Sequence, residues 1–400
     1  MLLGGLRYLI PVIEAAHELG LHVITCDYLP DNIAHKYSDE YHNVSIIDKE
    51  AVLKLAQELQ IDGIMSFAVD PGVVTAAYVQ EQMGLPAFGP YESVCILQDK
   101  ARFRDFLRNH GFNCPWSYGF NSVETAIDQA QKFSYPAIVK PTDAAGSKGV
   151  SRVDGINELL PALKHAMSCS LSGHIIVEEF IDKQGCSSDS DCFLVGGKFE
   201  FISFSAQRFD VDAENPYTPA AYSWPSTMEE SNELELRQEL QRLVTLLGMK
   251  NGIFNIETRV ATNGKAYIME VTPRGGGNRL AELLQYSTGA PLIKNAVRAC
   301  VGFPLLDFKK CSYNDYWLEI ILHAKKEGIF RYIYIPSNYK DKLVEMDLWV
   351  RPGDKVKSFR GANDAVGTLI FRLDTLGPVG DIMKQMKDFV VVAPMEVEVK

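Results

Sequence analysis

The sequence predicts an α/β protein with three parts: a doubly wound parallel sheet, an α+β middle region, and a strand-rich C-terminal domain. Three observations carry this reading. Strand-like and helix-like segments alternate up to about residue 90, an order that implies a parallel sheet of the doubly wound kind. The run 252–279, GIFNIETRVATNGKAYIMEVTPRGGGNR, reads as two strands joined by a tight turn at Asn263-Gly264, a dipeptide that supplies positive φ angles. From Tyr316 onward strands dominate, with turns marked by Pro352-Gly353 and Gly377-Pro378. The expected domains are 1–90, 91–310 and 311–400.

In chain order, Leu6, Leu9, Ile10, Ile13 and Ala16 share one face of a helix over 6–19. Residues 21–27 read as a buried strand. Asp48 caps a helix through residue 60, whose inner stripe is Val52, Leu55, Ala56 and Leu59. A strand over 61–67 precedes a helix that Pro71 starts and that ends near Gly84. Gly4-Gly5 sits where the first strand meets its helix. That strand has only three residues, so the expectation is a late beginning and an incomplete sheet edge. The G-x-G-x-x-G spacing of a dinucleotide site is absent. Beyond Pro90, helices are expected over 91–111, 122–133 and 229–248, the last with Leu236, Leu240, Leu243 and Leu247 inward. Strands are expected over 135–140 and 175–181, two helices over about 280–301, then strands over 317–323, 331–335 and 368–373.

Composition excludes several classes. Four hundred residues with 46% hydrophobic content can bury substantial cores. A net charge of −11 argues against a nucleic-acid-binding surface, which needs a basic face. The eight cysteines form no CxxC pair, and only Cys186 and Cys192 are close, with no histidine nearby to suggest zinc. Scattered thiols fit a reducing cytoplasm. No apolar run reaches membrane-spanning length and the N-terminus lacks a signal-peptide layout, so a soluble cytoplasmic protein is expected.

The hairpin carries the chemistry. It can hold Glu257 and Glu270 side by side, with Arg274 leading into Gly275-Gly276-Gly277. Two acids, a guanidinium and a flexible backbone suit magnesium that carries phosphate groups, since that ion takes one or two carboxylates plus phosphate oxygens. The plainer alternative is a surface hairpin with solvated acids. Gly146-Ser147-Lys148-Gly149-Val150 can present successive N–H groups to a phosphate. Lys140 ends the apolar strand PAIVKP, where a half-buried cation needs a partner such as a phosphate. Lys100 is a second candidate cation, or a solvated helix residue. In Glu178-Glu179-Phe180-Ile181 the backbone can read the edge of an adenine, or the strand simply turns outward.

In order and spacing, these segments resemble the ATP-grasp superfamily of ATP-dependent carboxylate–amine ligases, among them amino-acid ligases and proteins like the carbamoyl-phosphate synthase large subunit. The resemblance covers nearly the whole chain and rests on agreement among the levels. It implies that Lys100 and Lys140 contact ATP phosphates while the loop Gly146, Ser147, Lys148 and Gly149 closes over them as part of a mobile lid at about 115–205. It implies that Glu178 meets the adenine amino group, with backbone from Glu179 and Ile181, and that Ile138 and Met269 sandwich the ring. Glu257 and Glu270 would hold two Mg2+ (or Mn2+) ions. Two departures stand out. The family places Asn where this chain has Thr272, whose hydroxyl can still ligate magnesium. The family also tends to place a ribose-binding acid just beyond the hinge, and no single acid in 182–189 aligns with it.

The implied chemistry is attack of a carboxylate on the γ-phosphate of ATP, giving an acyl phosphate that an amine then displaces. Arg274 would stabilise the acyl phosphate and the oxyanion. Substrate specificity is expected from the loops near Gly4-Gly5, Asp27 and Asp70, from 208–225 with Tyr217, Tyr222 and Trp224, and from Gly275 to Arg279. Asn278 and Arg279 are expected to meet the acceptor's carboxylate. The partners expected are a small-molecule carboxylate and amine, with neither nucleic acid nor membrane, and a homodimer is the default assembly. Three readings stay open: an amino-acid or peptide-type ligase, a purine-biosynthetic or carboxylating ligase using a phosphoribosyl substrate or bicarbonate, and an ATP-binding protein without ligase activity.

Overall fold

The computed structural model describes residues 1–144, 148–309 and 311–394. The N-terminal alternation closes into a four-stranded parallel sheet, with Leu2–Leu3 between Ile24–Cys26 and Met65–Ser66, and Glu40–His42 on one edge. The short first strand is therefore interior and paired on both sides, not the incomplete edge its length suggested. Strands at 24–26 and 65–66 are shorter than the apolar runs around them. Asp48 caps Lys49–Glu58 by accepting the Ala51 N–H.

The helix expected over 91–111 is two helices, Tyr91–Gln98 and Lys100–Asn109. Asp99 between them is extended (φ −105°, ψ 113°), and its carboxylate accepts the Arg102 N–H at 2.9 Å. A capping aspartate offers the backbone an alternative to continuing the helix. The second helix restarts there, and Lys100 and Arg104 ride on its first turns.

A four-stranded antiparallel sheet follows, in the order Ser117–Phe120, Ile175–Glu179, Ala137–Pro141, Ser151–Val153. It has a core of its own that includes Phe120, Phe133, Val139, Leu163 and Val177. Strand alternation sends Ala137, Val139 and Pro141 into that core and leaves Ile138 and Lys140 on the opposite face. This unit ends at Glu179. The stretch 115–205 therefore divides, because Ser188–Val195 and Lys198–Phe201 pair into the next sheet.

That central sheet runs Lys198–Phe201, Ser188–Val195, Gly252–Val260, Ala266–Thr272, all antiparallel. The helix Glu230–Leu246 buries Leu236, Leu240, Leu243 and Val244. The hairpin turn differs from expectation. Of the two turn residues only Gly264 has positive φ (77°), and the Asn263 side chain accepts the Lys265 N–H, so residues 261–265 form a longer loop with an Asx turn. Finally, Ala206–Phe209, Pro219–Trp224, Tyr316–His323, Ala365–Leu373 and Leu343–Leu348 form a five-stranded antiparallel sheet. Two of its strands come from the middle of the chain, which sets this sheet against the central one. The N-terminal, central and C-terminal sheets share one continuous core, and the small antiparallel unit does not join it.

Candidate active site

Register builds the site. Asp189 lies opposite Glu257, and Glu257 opposite Glu270, so three neighbouring strands put three carboxylates in a row on one face. Two positions along, Asp191, Asn255 and Thr272 form a second row. Glu257 and Glu270 keep 31% and 34% of their side-chain surface exposed, so a ligand can reach both. A bulge after Glu257 leaves Met269 outside the ladder register, which turns it to the partly open side along with Glu270.

The row is electrostatically uneven. Burial, and then the Glu257 charge, raise Asp189 to about 7, although Asn255 Nδ2 (2.8 Å) and Tyr222 Oη (3.0 Å) both donate to it. Burial raises Asp191 to about 6 and also raises Glu257. Against the cost of burial, Lys100, then Lys140 and Arg274, hold Glu270 below its ordinary value. Crowded carboxylates beside waiting cations suit a divalent ion carrying phosphate. Among the described residues no three His, Cys, Asp or Glu side chains form a metal cage. An ion that takes two carboxylates and fills its other positions from phosphate and water needs none. Thr272 shares the Glu270 face but is 1% exposed. Asn255 faces it in register, so an amide stands beside Thr272 from the neighbouring strand.

The cations come from two elements. Lys100 Nζ donates to the Ala144 carbonyl at 3.1 Å and lies 3.7 Å from Glu270. Lys140 donates to one oxygen of Glu178, and Arg104 Nε donates to the other at 2.9 Å. Arg104 Nη1 also donates to the Met269 carbonyl at 2.8 Å. Against burial, Arg104 and Lys140 together hold Glu178 down at about 2. Burial pulls Lys140 down as well, but a carboxylate with two cations stays ionised, and so the pair is charged. Both oxygens of Glu178, the residue expected at the adenine amino group, are thus already engaged.

Ile181 and Met269 meet in a small apolar cluster with Ala261 and Tyr267; Ile138 lies outside it, on the small antiparallel sheet. Glu179 projects away from Glu178. Its N–H donates to the Trp116 carbonyl (2.9 Å) and its carboxylate accepts the Trp116 N–H (3.3 Å). Lys148 is exposed. Gly149 has φ +75°, and a Cβ there would come within 2.8 Å of Cys169 Cβ, so glycine is required. Gly146 and Ser147 lie outside the described residues.

Arg274 Nε and Nη2 donate to Asp70 Oδ1 at 2.8 and 2.6 Å, and Nη1 donates to the Gly275 carbonyl, tying the central sheet to the N-terminal one. Gly276 N–H donates to Asp191 at 2.8 Å, in a space where a Cβ would meet Asn255 Nδ2 at 2.7 Å. Arg279 donates to Glu282 (2.8 Å), lies 2.8 Å from Glu345 and 3.8 Å from Asp347, so three acids already compensate its charge. Of the aromatic residues expected to line a pocket, Tyr222 and Trp224 are buried; Trp224 Nε1 donates to Ser190, while Tyr217 is 37% exposed.

Sequence reasoning missed Arg104, Asp189 and Asn255. Arg104 left a faint signal: it sits between Phe103 and Leu107 on the buried side of its helix. The strand SDSDCFLV offered another, since alternating acids inside an apolar strand need a reason to be there.

Residues 97–278 match the family described as the ATP-grasp domain. The carbamoyl phosphate synthase large chain of Thermoanaerobacter sp. (strain X514) is 27% identical over 245 residues, 60% of this chain and 22% of that protein. The large chain of Haemophilus ducreyi is 25% identical over 333 residues, 81% of this chain and 29% of its own length. The chain therefore spans less than a third of these curated relatives. Among solved structures, L-amino acid ligase from Bacillus licheniformis superposes with a TM-score of 0.80 at 20% identity, covering 99% of this chain and 98% of its own. Phosphoribosylglycinamide synthetase from Anaerococcus prevotii gives 0.75 at 22% identity, covering 98% of each chain. These likenesses establish the ATP-grasp fold. No helix among the described residues is long and apolar enough to cross a membrane.

Proposed function

On the premise that residues 97–278 form an ATP-grasp domain, we propose that the chain is an ATP-dependent ligase. It activates a carboxylate as an acyl phosphate, joins it to an amine, and releases ADP and phosphate. The observation that carries this reading is the cross-strand Glu257–Glu270 pair, half-open and within the field of Lys100, Lys140 and Arg274.

Glu257 and Glu270 would hold magnesium, with Thr272 or Asn255 near the second position; the ion supplies charge neutralisation to the triphosphate. Lys100 and Lys140 bind phosphate oxygens. Glu178 holds Lys140 in place through the Arg104–Glu178–Lys140 chain, and any contact it makes with the adenine amino group uses a remaining lone pair. Ile181 and Met269 receive the base, with Ile138 closing from the lid side. Lys148 and Gly149 cover the phosphates and exclude water that would hydrolyse the acyl phosphate. Arg274, oriented by Asp70, meets the acyl phosphate and the oxyanion that follows. Arg279, surrounded by acids, serves as a clamp on Glu282 and Glu345 rather than as the acceptor's carboxylate site.

Two features favour an amino-acid-type substrate over a phosphoribosyl one. The basic residue nearest the Gly4-Gly5 turn, Arg7, lines a cleft with Arg279, Glu14, Glu282 and Asp347; Arg279 is already held by Glu282, and the acids repel a ribose phosphate. Glu345, which pairs with Arg279 beside that cleft, adds to the negative charge and favours an amine. The test is ADP and phosphate release, screened against amino acids and against phosphoribosyl compounds with bicarbonate. Release with amino acids is expected, and Glu270→Gln should abolish it without unfolding the protein. Retained turnover in that variant would refute the metal assignment.

A further inference from the structure

Glu319 sits in the middle of Tyr316–His323, the central strand of the C-terminal sheet. It is fully buried, yet neither carboxylate oxygen has a hydrogen-bond partner. Its cross-strand neighbour is Tyr222, and the neighbour of Tyr222 is Gln207, whose buried Oε1 is likewise unpartnered. Tyr222 Oη donates to Asp189, and Asp189 lies opposite Glu257. A continuous line of side chains thus runs from the phosphate end of the cleft to Glu319.

The charges around this line are mostly negative. Glu282, Glu345 and Asp189 each act on Glu319, and the cation that opposes them, Arg279, is already shared by Glu282 and Glu345. An ionised carboxylate buried without a partner is strongly unfavourable. A donor carrying positive charge satisfies both oxygens at once, and an ammonium has three hydrogens to distribute over Glu319, Gln207 and Tyr222. A cleft of about 220 Å³ between the N-terminal helix and the C-terminal sheet is lined by Tyr8, Arg279, Glu282 and Asp347, and its Glu282 is one of the acids that act on Glu319. Tyr8 forms part of its wall and its hydroxyl donates to Asn278 Oδ1 at 3.3 Å.

We propose that Glu319, with Gln207 and Tyr222, receives the ammonium group of one of the two joined substrates, so that the enzyme selects amino acids over amine-free carboxylic acids. The assignment rests on the ligase reading and narrows its substrate. A held ammonium keeps its proton and is not a nucleophile, so this contact also decides which amine does not react.

The test is ligand binding to the full chain by thermal shift and calorimetry, with the twenty amino acids, their deaminated counterparts (propionate for alanine, and so on), and MgATP as probes. At least one amino acid should bind the wild type, and its deaminated counterpart should bind roughly thirtyfold more weakly or not at all. Glu319→Gln should lose roughly thirtyfold in affinity for that amino acid with its MgATP affinity unchanged. Equal binding of acid and amino acid, no amino-acid binding at all, or undiminished binding in Glu319→Gln each overturns the proposal. The wild-type comparison decides the matter alone if the variant does not fold. Failure to bind MgATP would instead remove the ligase reading, so the two are separable.

Discussion

Glu178 and Glu319 are both strand glutamates with 2% exposure or less, and they meet burial in opposite ways. Glu178 lies between Arg104 and Lys140, and both its oxygens are occupied. Glu319 has no partner for either oxygen. The first arrangement is complete before any ligand arrives, so under the proposed function it would orient Lys140 for a phosphate whose position is the same in every turnover. The second is an open valence, which suits the part of the site that must distinguish one substrate from another. Rigid framing and selectivity would then fall to different buried carboxylates.

The comparison can be broken most directly at Arg104. Arg104→Met leaves Glu178 with one cation and should cost about 3–5 kcal/mol, because an uncompensated buried charge is strongly destabilising. Equilibrium urea unfolding measures it, and a loss under 1 kcal/mol would mean that Lys140 alone suffices. Glu319→Gln should act in the opposite sense, stabilising the ligand-free protein by about 1–3 kcal/mol at pH 8, since burial raises this carboxyl well above its ordinary value, so that folding must take up a proton or bury a charge, while glutamine keeps the shape. Destabilisation there would reveal a partner for Glu319 and remove the contrast.

The pH dependence sharpens the difference. Glu178 is lowered from 4.5 to about 2, so its contribution is full above pH 4.5 and is lost as pH falls through about 2. Asp189 is raised from 3.8 to about 7, so its contribution is full below pH 3.8 and is lost as pH rises through about 7. Thermal melts of the ligand-free protein should therefore fall between pH 5 and 8, and Asp189→Asn should flatten that slope. Magnesium with ATP should restore part of the loss above pH 7. The smallest effect is expected at Lys148: Lys148→Ala should leave stability within about 0.5 kcal/mol, as for exposed residues generally, while weakening ATP binding by a few fold.

The sequence disclosed the parts of the site that depend on local pattern. Glu257 and Glu270 were legible because a hairpin fixes cross-strand neighbours, and Lys140 because a cation closing an apolar strand needs an explanation. Arg104 and Glu319 were not, because their meaning lies in contacts 74 and 165 residues away in sequence or in having none at all. The division of 91–111 into two helices was missed for a related reason. Asp99-Lys100 was read as helix interior, and the capping geometry of Asp99 depends on where Lys100 has to point. Fold order was readable; the turn at Asn263-Gly264 was not, because the Asn263 side chain replaces a strained backbone angle with a hydrogen bond.

Arg104 stands outside the small antiparallel unit, yet it is fastened to Glu178 within that unit and to the Met269 carbonyl on the central sheet. The same helix holds the unit at further points, with the Lys100 N–H on the Thr142 carbonyl at 3.2 Å and Arg108 Nη2 on Ser117 Oγ at 2.6 Å. Any displacement of the unit would therefore have to carry this helix along or break those bonds, and the Met269 strand would register it through Arg104.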